Sequence, residues 1–248
     1  MLQKILITTL FCLIVGTAIE AIQLLIQRDF STDDIINNLI GGYLGLLCLV
    51  IFDRQKNNKS RIIAFLFAGI FCIIGLRDLE KHLIDELAMR QSFPIIADFE
   101  SRLELDRWDK KLVRVKRVQQ HAVSGTHSLK VDFLLGKYPS ISLQHLNNDW
   151  SQHSQLVFHV YNPSQESITV QMKIYDAQHA KRIKKYYDRF NKGITITPGW
   201  NTIKTVLTDI ARAPKHRTIN LEQIKSFSLF IDNPDKALTL YLDHIHLQ

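Results

Sequence analysis

The 248-residue chain has only three cysteines, Cys12, Cys48 and Cys72, and all three fall in its apolar first third. No two of them are close in sequence, so zinc sites built on cysteine pairs are excluded. Residues 79–248 have no cysteine at all, which excludes a disulfide framework there. Glycine and proline are also scarce, at 10 and 6, which rules out collagen-like and low-complexity chains. Residues 1–78 contain neither tryptophan nor proline. Catalytic signatures are missing too: there is no G-x-S-x-G, no H-E-x-x-H and no glycine-rich phosphate loop. The ten histidines are scattered, apart from His244 and His246, whose spacing on a strand suits a metal pair.

Hydrophobic residues make up 46% of the chain, too many for disorder. The net charge of +7 is uneven: residues 1–78 carry 7 cations and 6 acids, residues 79–248 carry 24 and 18. Three apolar runs, 5–26, 35–52 and 62–76, lie in the first part. The first is long enough, at about 1.5 Å per residue, to cross a hydrocarbon core of roughly 30 Å. The third is short and would need Arg61 and Arg77 to snorkel. Arg54, Lys56, Lys59 and Arg61 crowd the loop 53–61, whereas the loop 27–34 holds one arginine and three aspartates. The excess of cations places loop 53–61 in the cytoplasm. Three spans then put the amino terminus inside and residues 79–248 outside.

Polar residues mark the first two helices. Glu20, Gln23 and Gln27 share one helix face, as do Asp34, Asn38, Gly41 and Gly45. Ser31 and Asp34 have capping-box spacing, and Gly41-x-x-x-Gly45 suits close helix approach. An intramembrane Glu20 needs a partner such as Arg28 or Asn38. The same set suits helix packing and capping as well as a polar pocket. The pattern Glu20-x-x-Gln23, then Arg28-x-x-Ser31-x-x-Asp34-x-x-x-Asn38-x-x-Gly41, resembles the signature of VanZ-like membrane proteins over residues 15–50. The resemblance implies a bacterial cell-envelope protein linked to glycopeptide-antibiotic tolerance. The chain starts just upstream of the signature, where VanZ-like proteins usually have more spans.

Residues 77–92, with Leu79, Leu83 and Leu87 one turn apart, predict an amphipathic juxtamembrane helix ended by Pro94. Beyond it the hydrophobic period becomes two. Leu129, Val131 and Phe133 alternate with polar residues, as do Ile168, Val170, Met172 and Ile174, and Leu238, Leu240 and Leu242. Further strands are predicted at 95–100, 112–118, 140–144, 155–161, 193–197, 200–206 and 225–232. Turn pairs such as Ser124-Gly125, Asn162-Pro163 and Asn233-Pro234 separate them. Many short strands without alternating helices predict an all-β jelly-roll sandwich.

Asp98-Phe99-Glu100, then Ser124-Gly125-Thr126-His127-Ser128-Leu129-Lys130-Val131, Tyr187-Asp188-Arg189-Phe190-Asn191, Pro198-Gly199-Trp200-Asn201 and Tyr241-Leu242-Asp243-His244-Ile245 form an ordered set. Over 95–248 it resembles carbohydrate-binding modules of the galactose-binding-like sandwich group. That resemblance implies a structural calcium ion between the first and last strands, falling here at Asp98, Glu100 and Asp243; solvated or turn-capping acids are the plainer alternative. Sugars are held by aromatic faces and planar polar groups. Trp150, Tyr161, Tyr175, Tyr186, Tyr187 and Trp200 are the aromatic candidates, with Trp200, just after a Pro-Gly turn, read as a core residue. The run 181–189, with Lys184 and Arg189 beside Tyr186 and Tyr187, suits an anionic glycan; a solvated basic loop is the alternative. The exported topology argues against nucleic acid.

The expected organisation is a VanZ-like transmembrane domain (1–78) of three helices, a juxtamembrane helix (79–92) and a carbohydrate-binding-type β-sandwich (93–248). The expected function is non-catalytic binding of an envelope glycan or glycolipid from the inner membrane. The expected partners are membrane lipid and the glycan itself. The competing expectation is a membrane-embedded activity in lipid or cell-wall precursor handling, with the sandwich as an accessory or protein-interaction module.

Overall fold

The computed structural model describes residues 9–11, 14–19, 32–53, 57–181 and 186–248. The chain divides into two compact units, Met1–Leu83 and Ile84–Gln248.

The first unit is helical: α1 (Thr9–Ile19), α2 (Thr32–Phe52) and the start of α3 (Asn58–Ser92). Asn57 caps α3, its side-chain oxygen accepting the Ser60 N–H at 2.7 Å. Tyr43 stacks on Phe71 at 5.8 Å, and Ile40 approaches Gly75, so α2 and α3 meet along that line. Gly41 and Gly45 have no atom within 4 Å of where a Cβ would sit, so the expected close approach at Gly41-x-x-x-Gly45 is not made among the described residues. Leu49, Phe52, Phe65 and Ile73 are exposed on these two helices.

The expectation of three spans is corrected. Among the described residues, α3 alone is long and apolar enough to cross a membrane. The apolar part of α2, Ile36–Phe52, falls short of that length, and Thr9–Ile19 is shorter still. The third run, expected to stop near residue 76, continues without a break to Ser92. The separate juxtamembrane helix 79–92 is therefore the carboxyl-terminal part of α3.

The second unit is a two-sheet antiparallel β-sandwich. The strands are β1 (Ile95–Ala97), β2 (Trp108–Lys111), β3 (Val113–Val118), β4 (Ser128–Phe133), β5 (Ser140–Leu143), β6 (Gln155–Asn162), β7 (Ile168–Asp176), β8 (Phe190–Ile196), β9 (Gly199–Val206), β10 (Ile224–Phe230) and β11 (Leu238–Leu247). Two short helices, α4 (Ala177–Lys181) and α5 (Leu207–Arg212), follow β7 and β9. One sheet runs β3-β4-β11-β6-β9, with β1 added along the end of β11; the other runs β2-β5-β10-β7-β8. Alternation along the strands sends Leu129, Val131, Phe158, Val160, Met172, Ile174, Phe227 and Leu229 inward, where they form one core.

The sandwich unit begins earlier than residue 93. Arg107, 5% exposed, donates to both carboxylate oxygens of Asp85, itself 7% exposed, at 2.8 and 2.7 Å. Met89 is buried as well. The last turns of α3 are thus part of the sandwich's packing. A fragment starting at residue 93 would lack Asp85 and so leave Arg107 without its acid.

Candidate functional site

The outer face of the five-stranded sheet is built from the residues that alternate with the core. On β7 these are Thr169, Gln171, Lys173 and Tyr175. Opposite them stand Ser226, Ser228 and Phe230 on β10, and Asn191, Gly193 and Thr195 on β8. Ser140 and Ser142 of β5, then Lys111 and Asp109 of β2, continue the rows. Short side chains occupy the middle: Ser226 and Ser228 are fully buried, their hydroxyls 3.3 Å apart. Longer groups rise on either side and close over these two serines, so the accessible surface of this trough is made by Gln171, Lys173, Tyr175 and Asn191.

One rim of this trough carries most of the chemistry. The Arg189 guanidinium lies 5.5 Å from the centre of the Tyr186 ring and donates through Nε to Asn191 Oδ1 at 3.0 Å. Asn191 Nδ2 in turn donates to the Tyr186 carbonyl at 2.9 Å. Lys173 Nζ stands 5.6 Å from the centre of the Tyr175 ring. Burial pulls the Arg189 pKa below its ordinary value, with Tyr186 and Tyr175 acting the other way. An aromatic face, a planar guanidinium and amide groups within one patch match the C–H faces and hydroxyl pairs of a sugar.

The rim is held from behind by Arg217. Its guanidinium spans Asp176, which is fully buried at the end of β7, at 2.6 and 2.9 Å, and Asp188 at 2.5 Å. Asp176 also accepts the backbone N–H groups of His179 and Asn220. Burial opposes ionisation of Asp176, yet these bonds leave its pKa below the ordinary value. His179, packed at 1% exposure, meets Asp188 at 3.1 Å; burial lowers its pKa against that carboxylate's pull. Asp188 sits between Tyr187 and Arg189, so this network fixes where the binding groups stand.

Of the glycan-binding candidates, the structure brings Tyr175, Tyr186 and Arg189 together. Tyr187 turns to the side, its ring edge-on to His216 at 6.0 Å. Lys184 lies outside the described residues. Trp150 is corrected: it is fully buried in the core, its indole N–H satisfied by the Asn147 carbonyl at 2.9 Å. Trp200, read as a core residue, is instead 44% exposed on the other sheet. Gln171, Lys173 and Asn191 were missed, although the period-two pattern of β7 places the first two on one outer face.

The acids expected around calcium divide between two tasks. Glu100 Oε1 accepts the backbone N–H groups of Thr126 and His127, both at 2.7 Å. Asp243, fully buried, accepts those of Val123 and Ser124 at 2.5 and 2.9 Å and of His244 at 2.7 Å. Burial raises the Asp243 pKa against these bonds. Asp98 accepts the Glu100 N–H at 3.1 Å. Among the described residues no three His, Cys, Asp or Glu side chains gather as a cation requires. As arranged, Glu100 and Asp243 tie down the loop before β4, and Asp98 caps its own turn at Glu100.

Of the membrane set, Glu20, Gln23, Arg28 and Ser31 lie outside the described residues. Asp34 and Asn38 lie on α2, and of these Asn38 is exposed.

The sandwich defines a class before any comparison: two antiparallel sheets with a polar trough on one outer face. Compared with known proteins, the chain matches no family model and no curated protein. Among solved structures it is similar to an exo-beta-agarase, with a TM-score of 0.51 at 16% identity, over 62% of this chain and 24% of that one. The chain therefore spans about a quarter of the agarase. It is also similar to a family 11 carbohydrate-binding module from Clostridium thermocellum, solved with a β-1,3-1,4-mixed-linked tetrasaccharide. That match has a TM-score of 0.48 at 19% identity, over 62% of this chain and 93% of the module. A xylan-binding domain from Paenibacillus barcinonensis gives 0.40 at 17% identity, over 62% and 92%. The agarase likeness establishes a shared sandwich fold, and the structural neighbours include carbohydrate-binding modules.

Proposed function

We propose that the sandwich binds a cell-envelope glycan without catalysis, through the outer face of its five-stranded sheet. The observation that carries this reading is the rim of Tyr175, Tyr186, Arg189, Lys173 and Asn191 on that face. The cations at the rim favour a glycan bearing acidic groups. The apolar helix α3 anchors the chain in the inner membrane, with the amino terminus inside and the sandwich outside; the loop 53–61 supplies the orienting charge. Screening the full chain, held in a sugar-free detergent, against an array of neutral and acidic glycans tests the binding. Reporter fusions at Asn57 and Gln248 test the topology: cytoplasmic signal at the first and external signal at the second are expected.

The competing reading is a membrane-embedded activity in lipid or cell-wall precursor handling, for which Glu20, Arg28, Asp34 and Asn38 would supply one polar cluster. Its support is their spacing in sequence. Arg28→Ala should then impair function or protein level more than Lys56→Ala, and equal tolerance of the two would remove the cluster from the proposal.

A further inference from the structure

The outer face of the six-stranded sheet carries a second constellation. Tyr161 of β6 stands opposite Trp200 of β9, with ring centres 5.3 Å apart. Tyr241 of β11 is next in the row, 6.1 Å from Tyr161. His121 lies over them, stacked on Tyr161 at 3.7 Å and 13° and edge-on to Tyr241 at 4.6 Å. Its own backbone is left-handed, φ 53°, an uncommon region for non-glycine residues although histidine enters it more readily than most, and its surroundings help to hold it there.

Those surroundings are the carboxylates already described. Asp243 holds the N–H groups of residues 123 and 124, and Glu100 those of 126 and 127. Both ends of the short stretch after His121 are thereby pinned, and the imidazole is set on the ring cluster. The rim is polar: the Tyr241 hydroxyl donates to the Gln120 amide oxygen at 3.4 Å, and Lys130 is the register partner of Tyr241.

Trp200 is 44% exposed even though it packs against this cluster. Part of Trp200 thus stays open to solvent, with the His121 imidazole edge-on beside it at 6.5 Å. A pyranose ring has the matching shape, an apolar C–H face bordered by hydroxyls. A helix or an acyl chain would want a wider apolar surface, which the neighbouring Thr202 and Lys130 do not provide.

We infer that His121, Tyr161, Trp200 and Tyr241 form a second saccharide-binding platform, separate from the trough on the opposite sheet. One sugar residue stacks on Trp200, and the His121 imidazole, edge-on to that indole at 6.5 Å, meets its hydroxyls. The two faces have no residue in common, so either can hold without the other.

The tryptophans supply the test. Trp108 and Trp150 are 4% and 0% exposed, so a sugar arriving at the platform changes the emission of Trp200 alone, while one arriving at the trough meets tyrosines. The full chain in sugar-free detergent is titrated with cellotetraose, laminaritetraose, chitotetraose and agarotetraose, followed by tryptophan emission and by calorimetry. A saturable emission change with at least one of them is expected. It should persist in Tyr175→Ala. Trp200→Ala should weaken that binding about tenfold, the size of one aromatic contact, whereas Trp200→Phe keeps most of it. Because Trp200 is exposed on an edge strand, both variants should unfold at nearly the wild-type temperature. No emission change with any of the four sugars, or binding that Trp200→Ala leaves intact, overturns the platform. Loss of binding in Tyr175→Ala alone would do so while leaving the trough standing.

Discussion

The outer face of the five-stranded sheet sets long polar side chains around buried serines, whereas that of the six-stranded sheet packs four rings together, His121 stacked on Tyr161 and the others edge-on. Each face is positioned by charge placed behind it. Arg217 joins Asp176 to Asp188 and fixes the rim of the trough; Asp243 and Glu100 tie the loop that carries His121. The difference lies in what the supporting charge is paired with. Asp176 faces a guanidinium in a buried ion pair, while Asp243 faces only backbone N–H groups. The first support should therefore be the costlier to break.

Arg217→Ala should have the largest effect. It leaves Asp176 buried without its cation, and breaking such a pair costs about 3–5 kcal/mol. Thermal unfolding should show a drop of many degrees, and glycan binding at the trough should disappear. A variant with the wild-type midpoint would mean that the network does not hold the rim.

Next comes the pH response of Glu104. This side chain accepts the N–H groups of Asp98, Phe99 and Ser101, and burial, with Asp98 nearby, pushes its pKa up to about 7. An acid whose pKa rises on folding stabilises the native state fully below its ordinary value of 4.5, and loses that contribution as pH climbs through about 7. Each pH unit in that window is worth about 1.4 kcal/mol at most. The midpoint of Glu104→Gln should depend less on pH between 5 and 8 than that of wild type; parallel curves would contradict the assignment.

Asp243→Asn should cost less, about 1–3 kcal/mol, because hydrogen bonds rather than a paired charge are lost. It should abolish the tryptophan response while sparing the trough, and simultaneous loss of both would show that the faces are not independent. The smallest effect concerns calcium. Because the carboxylates already accept backbone N–H groups, adding EDTA should leave the unfolding midpoint unchanged. A midpoint several degrees higher with calcium would restore an ion at Asp98 and Asp243.

The period-two runs announced most of the sandwich, since inward positions such as Val170, Met172 and Ile174 must be apolar wherever one face is buried. β2 escaped because Trp108-Asp109-Lys110-Lys111 has a single inward residue and so no alternation to read. α4 and α5, at five and six residues, are too short to carry a helical period. In sequence Trp150 is a candidate for its aromatic face alone; that face packs into the core, where the Asn147 carbonyl satisfies the indole N–H. The trough rim was partly legible as a basic, aromatic run at 181–189. The ring platform was not, because His121 reaches Tyr161 and Tyr241 only after the sheet has brought together segments far apart in sequence.

The central claim, that the sandwich is a glycan-binding unit acting through the trough, is tested most directly by one comparison on a glycan array. Wild-type full-length chain in sugar-free detergent is set beside the double variant Tyr175→Ala with Tyr186→Ala, whose folding is checked by thermal midpoint. The account predicts binding to a defined subset of glycans by the wild type, and loss of the acidic members of that subset by the variant. A wild-type chain that binds no glycan, or a folded variant with an unchanged binding profile, would contradict it.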